Sequence, residues 1–293
     1  MPIIKTTDDV QLVYEEAGEG EPIVFVHEFG GDMRSWEPQM RYFSRRHRCI
    51  AFNARGYPPS DVPENVEQYS QRQAALDIVS VLDALNIQKA HIVGLSMGGF
   101  ATVHFGLIAP ERALSLVVAG AGYGAEKEHE EYFQNVSLEV AAQFEKQGSN
   151  EFSKTYALAA SRIAFLLKDP RGWKEFAEHL SQHSAKGAAM TMRGVQARRP
   201  SLYDLEDQLK AMFVPTLIVV GDEDDHCLQP GIFLKQTIPA SGLAVLPKSG
   251  HTLNLEEPAL FNQLVADFLA TVSQGRWLPR DPRAMPSQIM KTS

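Results

Sequence analysis

The stretch Ala90-His91-Ile92-Val93-Gly94-Leu95-Ser96-Met97-Gly98 decides the reading of this chain. Its first four residues form a short, largely apolar run of strand length, and helical spacing begins after Gly98. Gly-x-Ser-x-Gly between a strand and a helix is the signature of a sharp turn that lifts a serine hydroxyl off the sheet edge, a nucleophile elbow. So tight a turn needs small residues two positions to either side of the serine. It also leaves the hydroxyl near a helix N-terminus, where unpaired backbone N–H groups favour developing negative charge. With 21 glycines in 293 residues, such a pattern arises by chance in roughly one chain in ten. Its surroundings must therefore decide.

Three features agree with an elbow. Upstream, Pro22-Ile23-Val24-Phe25-Val26 reads as a buried strand and runs into His27-Glu28-Phe29-Gly30-Gly31. A Gly-bearing loop after an early strand is where a second oxyanion donor would sit, and the expected donors are the backbone N–H groups of Phe29 and Met97. Downstream, the strand Thr216-Leu217-Ile218-Val219-Val220 ends in Gly221-Asp222-Glu223-Asp224-Asp225. A catalytic triad needs one carboxylate aimed at an imidazole nitrogen, and spacing alone does not choose among the four acids. Finally, the strand Leu243-Ala244-Val245-Leu246 leads through Pro247-Lys248-Ser249-Gly250 to His251. A helix begins near Glu257-Pro258, so His251 lies on a loop at a strand end.

With these residues together, the chain resembles the α/β-hydrolase superfamily, nearest the serine esterase and lactonase branch with Gly-Leu-Ser-Met-Gly-Gly elbows. The resemblance runs from Pro22 to about Phe268. It includes Asn53-Ala54-Arg55-Gly56-Tyr57-Pro58-Pro59-Ser60, like the family's Asp-x-Arg-Gly-x-Gly-x-Ser stretch, and Gly250-His251 with Glu256-Glu257-Pro258. It implies Ser96 as nucleophile, Asp224 as orienting acid and His251 as base. The implied fold is α/β, a mostly parallel sheet with helices on both faces and an inserted all-helical cap. The implied reaction is hydrolysis of an ester or lactone. Amide, formamide or C–C bond hydrolysis with the same triad, and a small-ligand receptor on this fold, are the alternatives. Two departures stand out: Glu28 replaces the glycine usual after the oxyanion-loop histidine, and Asn53 replaces an aspartate. Glu28 is read as turned away in a structural role. Facing the pocket instead, it would favour neutral or cationic substrates. Glu28 and Tyr123 are the candidate pocket residues.

Composition fits. An apolar fraction of 44% and a charged fraction of 22% are those of a globular protein. A net charge of −8 with no basic stripe argues against nucleic acid, and no apolar run approaches a membrane span. Without an apolar leader-like run after Met1, and with Cys49 and Cys227 read as free thiols, a cytoplasmic location is expected. No metal or cofactor is expected. His27-Glu28 lacks a second histidine, His226-Cys227 lacks a matching ligand pair, and no Gly-x-Gly-x-x-Gly opens the first helix. His104 is read as a core histidine.

Strand and helix patterns alternate through residues 1–122 and return over 214–274, which predicts a core of parallel strands. The first helix is expected from about Glu67 to Leu85, with Ala75, Ile78, Val79, Leu82 and Leu85 on one face. Between them, residues 123–213 lose strand character and become the predicted cap. There Phe152, Tyr156, Ala159, Ala160 and Ile163 are expected on one face of a helix ended by Asp169-Pro170. The tail, 275–293, carries Trp277, Pro279, Pro282 and Pro286. It reads as disordered, or as an arm docking on the core or on the second subunit of a homodimer. The expected partner is a small-molecule substrate.

Overall fold

The residues Pro22-Ile23-Val24-Phe25-Val26 form a strand buried on both faces, because both its odd and its even positions are apolar. In the computed structural model, which describes residues 1–284, the same holds for most of the sheet. The strands are β1 (Ile3–Lys5), β2 (Gln11–Ala17), β3 (Pro22–Val26), β4 (Arg48–Phe52), β5 (Ala90–Leu95), β6 (Ala113–Ala119), β7 (Thr216–Gly221) and β8 (Ser241–Leu246). They lie side by side in the order β1-β2-β4-β3-β5-β6-β7-β8. Pairs β1/β2 and β2/β4 are antiparallel, and the remaining neighbours are parallel.

Two apolar layers sandwich this sheet. Ile23, Phe25, Val93 and Val117 face α1 (Glu37–Phe43) and the C-terminal helix through Met40, Phe43, Phe261 and Val265. Val24, Val26, Ile92 and Val118 face α2 (Gln71–Ala84) and α3 (Met97–Ile108) through Ala75, Ile78, Phe100 and Val103. Fully burying each such side chain contributes roughly 1.5–3 kcal/mol. Helix α2 starts later than the periodicity predicts. The Ser70 hydroxyl caps it by accepting the Gln73 N–H at 3.0 Å, and Val66–Gln68 forms a separate 3₁₀ turn. Val81, rather than Val79, is its fully buried valine.

Between β6 and β7 the chain is helical: α4 (Lys127–Gln147), α5 (Ser149–Tyr156), α6 (Ala160–Lys168), α7 (Pro170–Ser181), α8 (Ala185–Thr191) and α9 (Glu206–Lys210). The single helix expected through Phe152 and Ile163 is two. Ala159 is extended at φ −59°, ψ 152°, and the Trp173 indole N–H takes up the Ala157 carbonyl at 2.8 Å. The break re-aims the second segment, so Ile163 is 38% exposed while Arg162 and Phe165 turn inward. Completing the fold are α10 (Asp225–Thr237), α11 (Leu253–Glu256) and α12 (Pro258–Ser273).

The start of the tail docks on its own core. The Trp277 indole N–H donates to the Ala240 carbonyl at 2.9 Å, and its ring meets Phe268 edge-on at 4.6 Å. Pro286 lies outside the described residues. Among the described residues no helix is long and apolar enough to cross a membrane.

Topology places the site. From β3 the chain moves outward to β4, then crosses back to β5 on the other side of β3. Loops leaving the C-terminal ends of β3 and β5 therefore diverge and open a crevice, the usual ligand position in such sheets.

Candidate active site

Ser96 occupies the turn from β5 into α3 with φ 55° and ψ −113°, a backbone conformation that L-residues rarely adopt. Its flanking glycines are sterically required. A Cβ on Gly94 would lie 2.1 Å from the Gly98 carbonyl oxygen, and one on Gly98 would lie 2.0 Å from the Val26 carbonyl oxygen. The turn is pinned to the next strand, since the Ser96 N–H donates to the Ala119 carbonyl at 2.8 Å.

Two further loops meet this serine. The Ser96 hydroxyl donates to His251 Nε2 at 2.7 Å, and His251 Nδ1 donates to Asp224 Oδ2 at 2.7 Å. Asp224 follows β7 and His251 follows β8, so strands that pair in parallel deliver the carboxylate and the imidazole to one end of the sheet. Of the four adjacent acids, Asp222 accepts the Ser249 N–H at 3.1 Å and Glu223 pairs with Lys248 at 3.1 Å. Asp225 opens α10. Burial works to raise the Asp224 carboxyl, but the charge and N–H of His251 outweigh it and hold it below the ordinary value. Glu256 fixes the histidine loop. Its carboxylate accepts the Gly250 N–H at 2.7 Å and the Thr252 N–H at 2.9 Å, bracketing His251.

The loop after β3 lies opposite. His27 Nδ1 donates to the Glu28 carbonyl at 2.7 Å and Nε2 accepts the Ala54 N–H at 3.0 Å, which requires the proton on Nδ1. Asn53 explains its departure from the family pattern. Its Oδ1 accepts the Met33 N–H at 2.9 Å while its Nδ2 donates to the Pro58 carbonyl at 2.9 Å, a donation that an ionised aspartate cannot make. The loop so held carries Phe29. Among the described residues, neither the Phe29 N–H nor the Met97 N–H has a hydrogen-bond acceptor.

Glu28 lines the cleft rather than turning away, yet it is not a free charge. Arg162, on α6, donates from Nη1 to Glu28 Oε1 at 2.8 Å, from Nη2 to Glu28 Oε2, and to the Thr252 hydroxyl at 2.8 Å. Both partners are buried. Tyr123 packs edge-on against the His251 ring at 5.0 Å. Glu28, Phe29, Ser96, Tyr123, Arg162 and His251 line a cleft closed on the insertion side by Tyr156, Met192, Gln196 and Arg199. Arg162, Arg199 and Glu256 were not among the expected site residues. Arg162 is a basic residue inside an amphipathic helix and Arg199 lies in the irregular segment after Gln196, and neither position carries a signal in the sequence of what it faces.

One group of ligand-type side chains, Asp224, Cys227 and His251, has its donor atoms within 4.8 Å of one another among the described residues. It coincides with the acid–imidazole pair, and burial drives the Cys227 thiol well above its ordinary value, so it is a poor source of thiolate. Cys49 is likewise a free, buried thiol.

A parallel sheet with a serine at the β5–α3 turn and an acid and histidine after the last two strands is the architecture of an α/β hydrolase. The chain belongs to the alpha/beta hydrolase fold family, whose profile matches residues 21–258, and it is a hydrolase similar to esterases and lactonases. It is 29% identical over 260 residues to 3-oxoadipate enol-lactonase 1 of Acinetobacter baylyi, covering 85% of this chain and 89% of the relative. It is 28% identical over 283 residues to the 2-hydroxy-6-oxo-6-phenylhexa-2,4-dienoate hydrolase of Burkholderia cepacia, covering 91% and 93%. A thermophilic esterase from Thermogutta terrifontis shares the fold with a TM-score of 0.82 at 24% identity, covering 92% of this chain and 98% of that one.

Proposed function

We propose that the protein hydrolyses a carboxylic ester or lactone of a small molecule through Ser96, His251 and Asp224. The observation that carries this is the unbroken relay from hydroxyl to imidazole to carboxylate, both links at 2.7 Å. His251 Nε2 takes the Ser96 proton as Oγ bonds to the carbonyl carbon. Asp224 keeps the proton of neutral His251 on Nδ1 and stabilises the imidazolium that forms. The N–H groups of Phe29 and Met97 receive the oxyanion, each worth roughly 3 kcal/mol of barrier. His251 then protonates the departing alkoxide, and water, deprotonated by the same imidazole, releases the acid and restores Ser96. Similarity to an enol-lactonase supports this bond class.

The same relay serves C–C bond hydrolysis, and similarity to the Burkholderia dienoate hydrolase favours that second reading. A panel of esters, lactones, amides and a vinylogous diketone separates them. Wild-type protein should turn over the esters, Ser96→Ala should not, and a fluorophosphonate should label the peptide bearing Ser96. Undiminished ester hydrolysis by purified Ser96→Ala protein refutes the assignment.

A further inference from the structure

We propose that Arg199 is the recognition point for a carboxylate on the substrate, so that this cleft selects negatively charged acyl compounds. The inference rests on the ester-hydrolase reading of the same cleft and adds its substrate class.

Three arginines of the described chain are buried: Arg55, Arg162 and Arg199. Two carry their counter-charge with them. Arg55 lies between Asp8, at 2.8 Å, and Asp77, at 2.7 Å, and Arg162 holds Glu28. Arg199 has no carboxylate within salt-bridge distance among the described residues; its partners are the neutral Tyr123 carbonyl and Gln196 Oε1, the latter at 2.5 Å. Its Nε–H is buried without an acceptor. The guanidinium packs against the Phe100 ring at 3.7 Å and the Phe133 ring at 4.6 Å, which fixes its plane. Burial pushes it down to about 9, so the folded protein bears the cost of an unneutralised cation.

An anion entering the cleft would remove that cost. Every other formal charge nearby is already committed. Glu28 is cancelled by Arg162, Glu130, on the adjoining outer cleft, pairs with Lys127 at 3.7 Å, and Asp224, anionic beside neutral His251, is hydrogen-bonded to that ring and does not line the cleft. The cleft therefore presents one uncompensated positive group on the wall it shares with Ser96. This reverses the preference for neutral or cationic substrates that an unpaired Glu28 would have imposed. A planar guanidinium with a free N–H matches a carboxylate better than it matches a neutral carbonyl.

The test is binding to Ser96→Ala protein, which does not depend on turnover. Monomethyl succinate, glutarate and adipate are each titrated calorimetrically against the corresponding neutral dimethyl esters. The best monoanion should bind roughly 10- to 100-fold tighter than its neutral counterpart, and adding Arg199→Met should remove the difference. Equal affinities for charged and neutral esters overturn the proposal, as does a preference that survives Arg199→Met. Should circular dichroism show that Arg199→Met does not fold, Arg199→Gln, which keeps a donor for the Tyr123 carbonyl, replaces it with the same expected loss, and a retained preference again overturns the proposal. Turnover of a neutral activated ester by wild-type protein is the separate check on the hydrolase reading.

Discussion

Arg162, carried on a helix of the insertion, donates to both carboxylate oxygens of Glu28, 134 residues earlier in the loop after β3. The pair ties the helical layer to the loop that presents the Phe29 N–H. Removing one partner strands the other as an unpaired buried charge. Glu28→Ala should therefore cost about 3–5 kcal/mol in urea unfolding. The double change Glu28→Ala with Arg162→Met should recover much of that loss, a coupling that a double-mutant cycle with the two single changes measures directly. Additive losses would show that the two residues act independently.

Gly98→Ala tests the geometry of the elbow. The added methyl carbon meets the Val26 carbonyl oxygen at 2.0 Å and the His27 carbonyl oxygen at 2.8 Å, both backbone atoms that cannot swing aside. We expect a stability loss of at least about 1–3 kcal/mol, and a fall in kcat beyond what lost folded protein explains, because α3 and the Met97 N–H must move away from Phe29. A variant with wild-type melting temperature and kcat would contradict this steric account.

Asp224→Asn should keep the shape of the site and change the imidazole tautomer. An amide nitrogen donating to Nδ1 leaves the proton on Nε2, which then cannot accept from Ser96. Ester kcat is expected to fall by roughly 10³–10⁴-fold with little change in KM. Steady-state kinetics that show a loss of less than about tenfold would remove Asp224 from the relay.

Acid should weaken the fold through its buried imidazoles. His27, His91 and His104 are held below the ordinary imidazole value of 6.5, burial being the largest cause in each, and His104 is pushed down to about 4. As pH drops below 6.5 the unfolded chain binds a proton at each position that the folded protein does not. Stability is thus fully present above that value and is lost on acidification, by at most roughly 1.4 kcal/mol per pH unit for each histidine. For His104 the loss continues to about pH 4. His104→Leu should flatten the dependence of urea unfolding free energy on pH between those limits. Parallel curves for wild type and variant would rule out this histidine as a source of the slope.

Strands β3, β5, β7 and β8 were readable in the chain because an apolar run bounded by glycine, proline or acidic residues reports local burial. So were the loops that hold Ser96 and His251, since each follows such a run. The break between α5 and α6 was not readable. At the break the Ala157 carbonyl accepts from Trp173, 16 positions away, and nothing in the periodicity of residues 149–168 records that partner. Choosing Asp224 among four neighbouring acids needed a resemblance, because adjacent carboxylates are equivalent along a chain and differ only in which imidazole they meet.

By itself, then, the order of residues determined the alternation of strand and helix, the tight serine turn and the places where chemistry gathers, all of which follow from local sterics and short-period burial. Tertiary structure alone decided which charges are cancelled: Glu28 by Arg162, Arg55 by Asp8 and Asp77, and Arg199 by no carboxylate of the described chain. The reason is physical. A buried charge is settled by whatever approaches it across space, and contacts between residues 22, 47 or 134 positions apart leave no mark on the spacing within either segment.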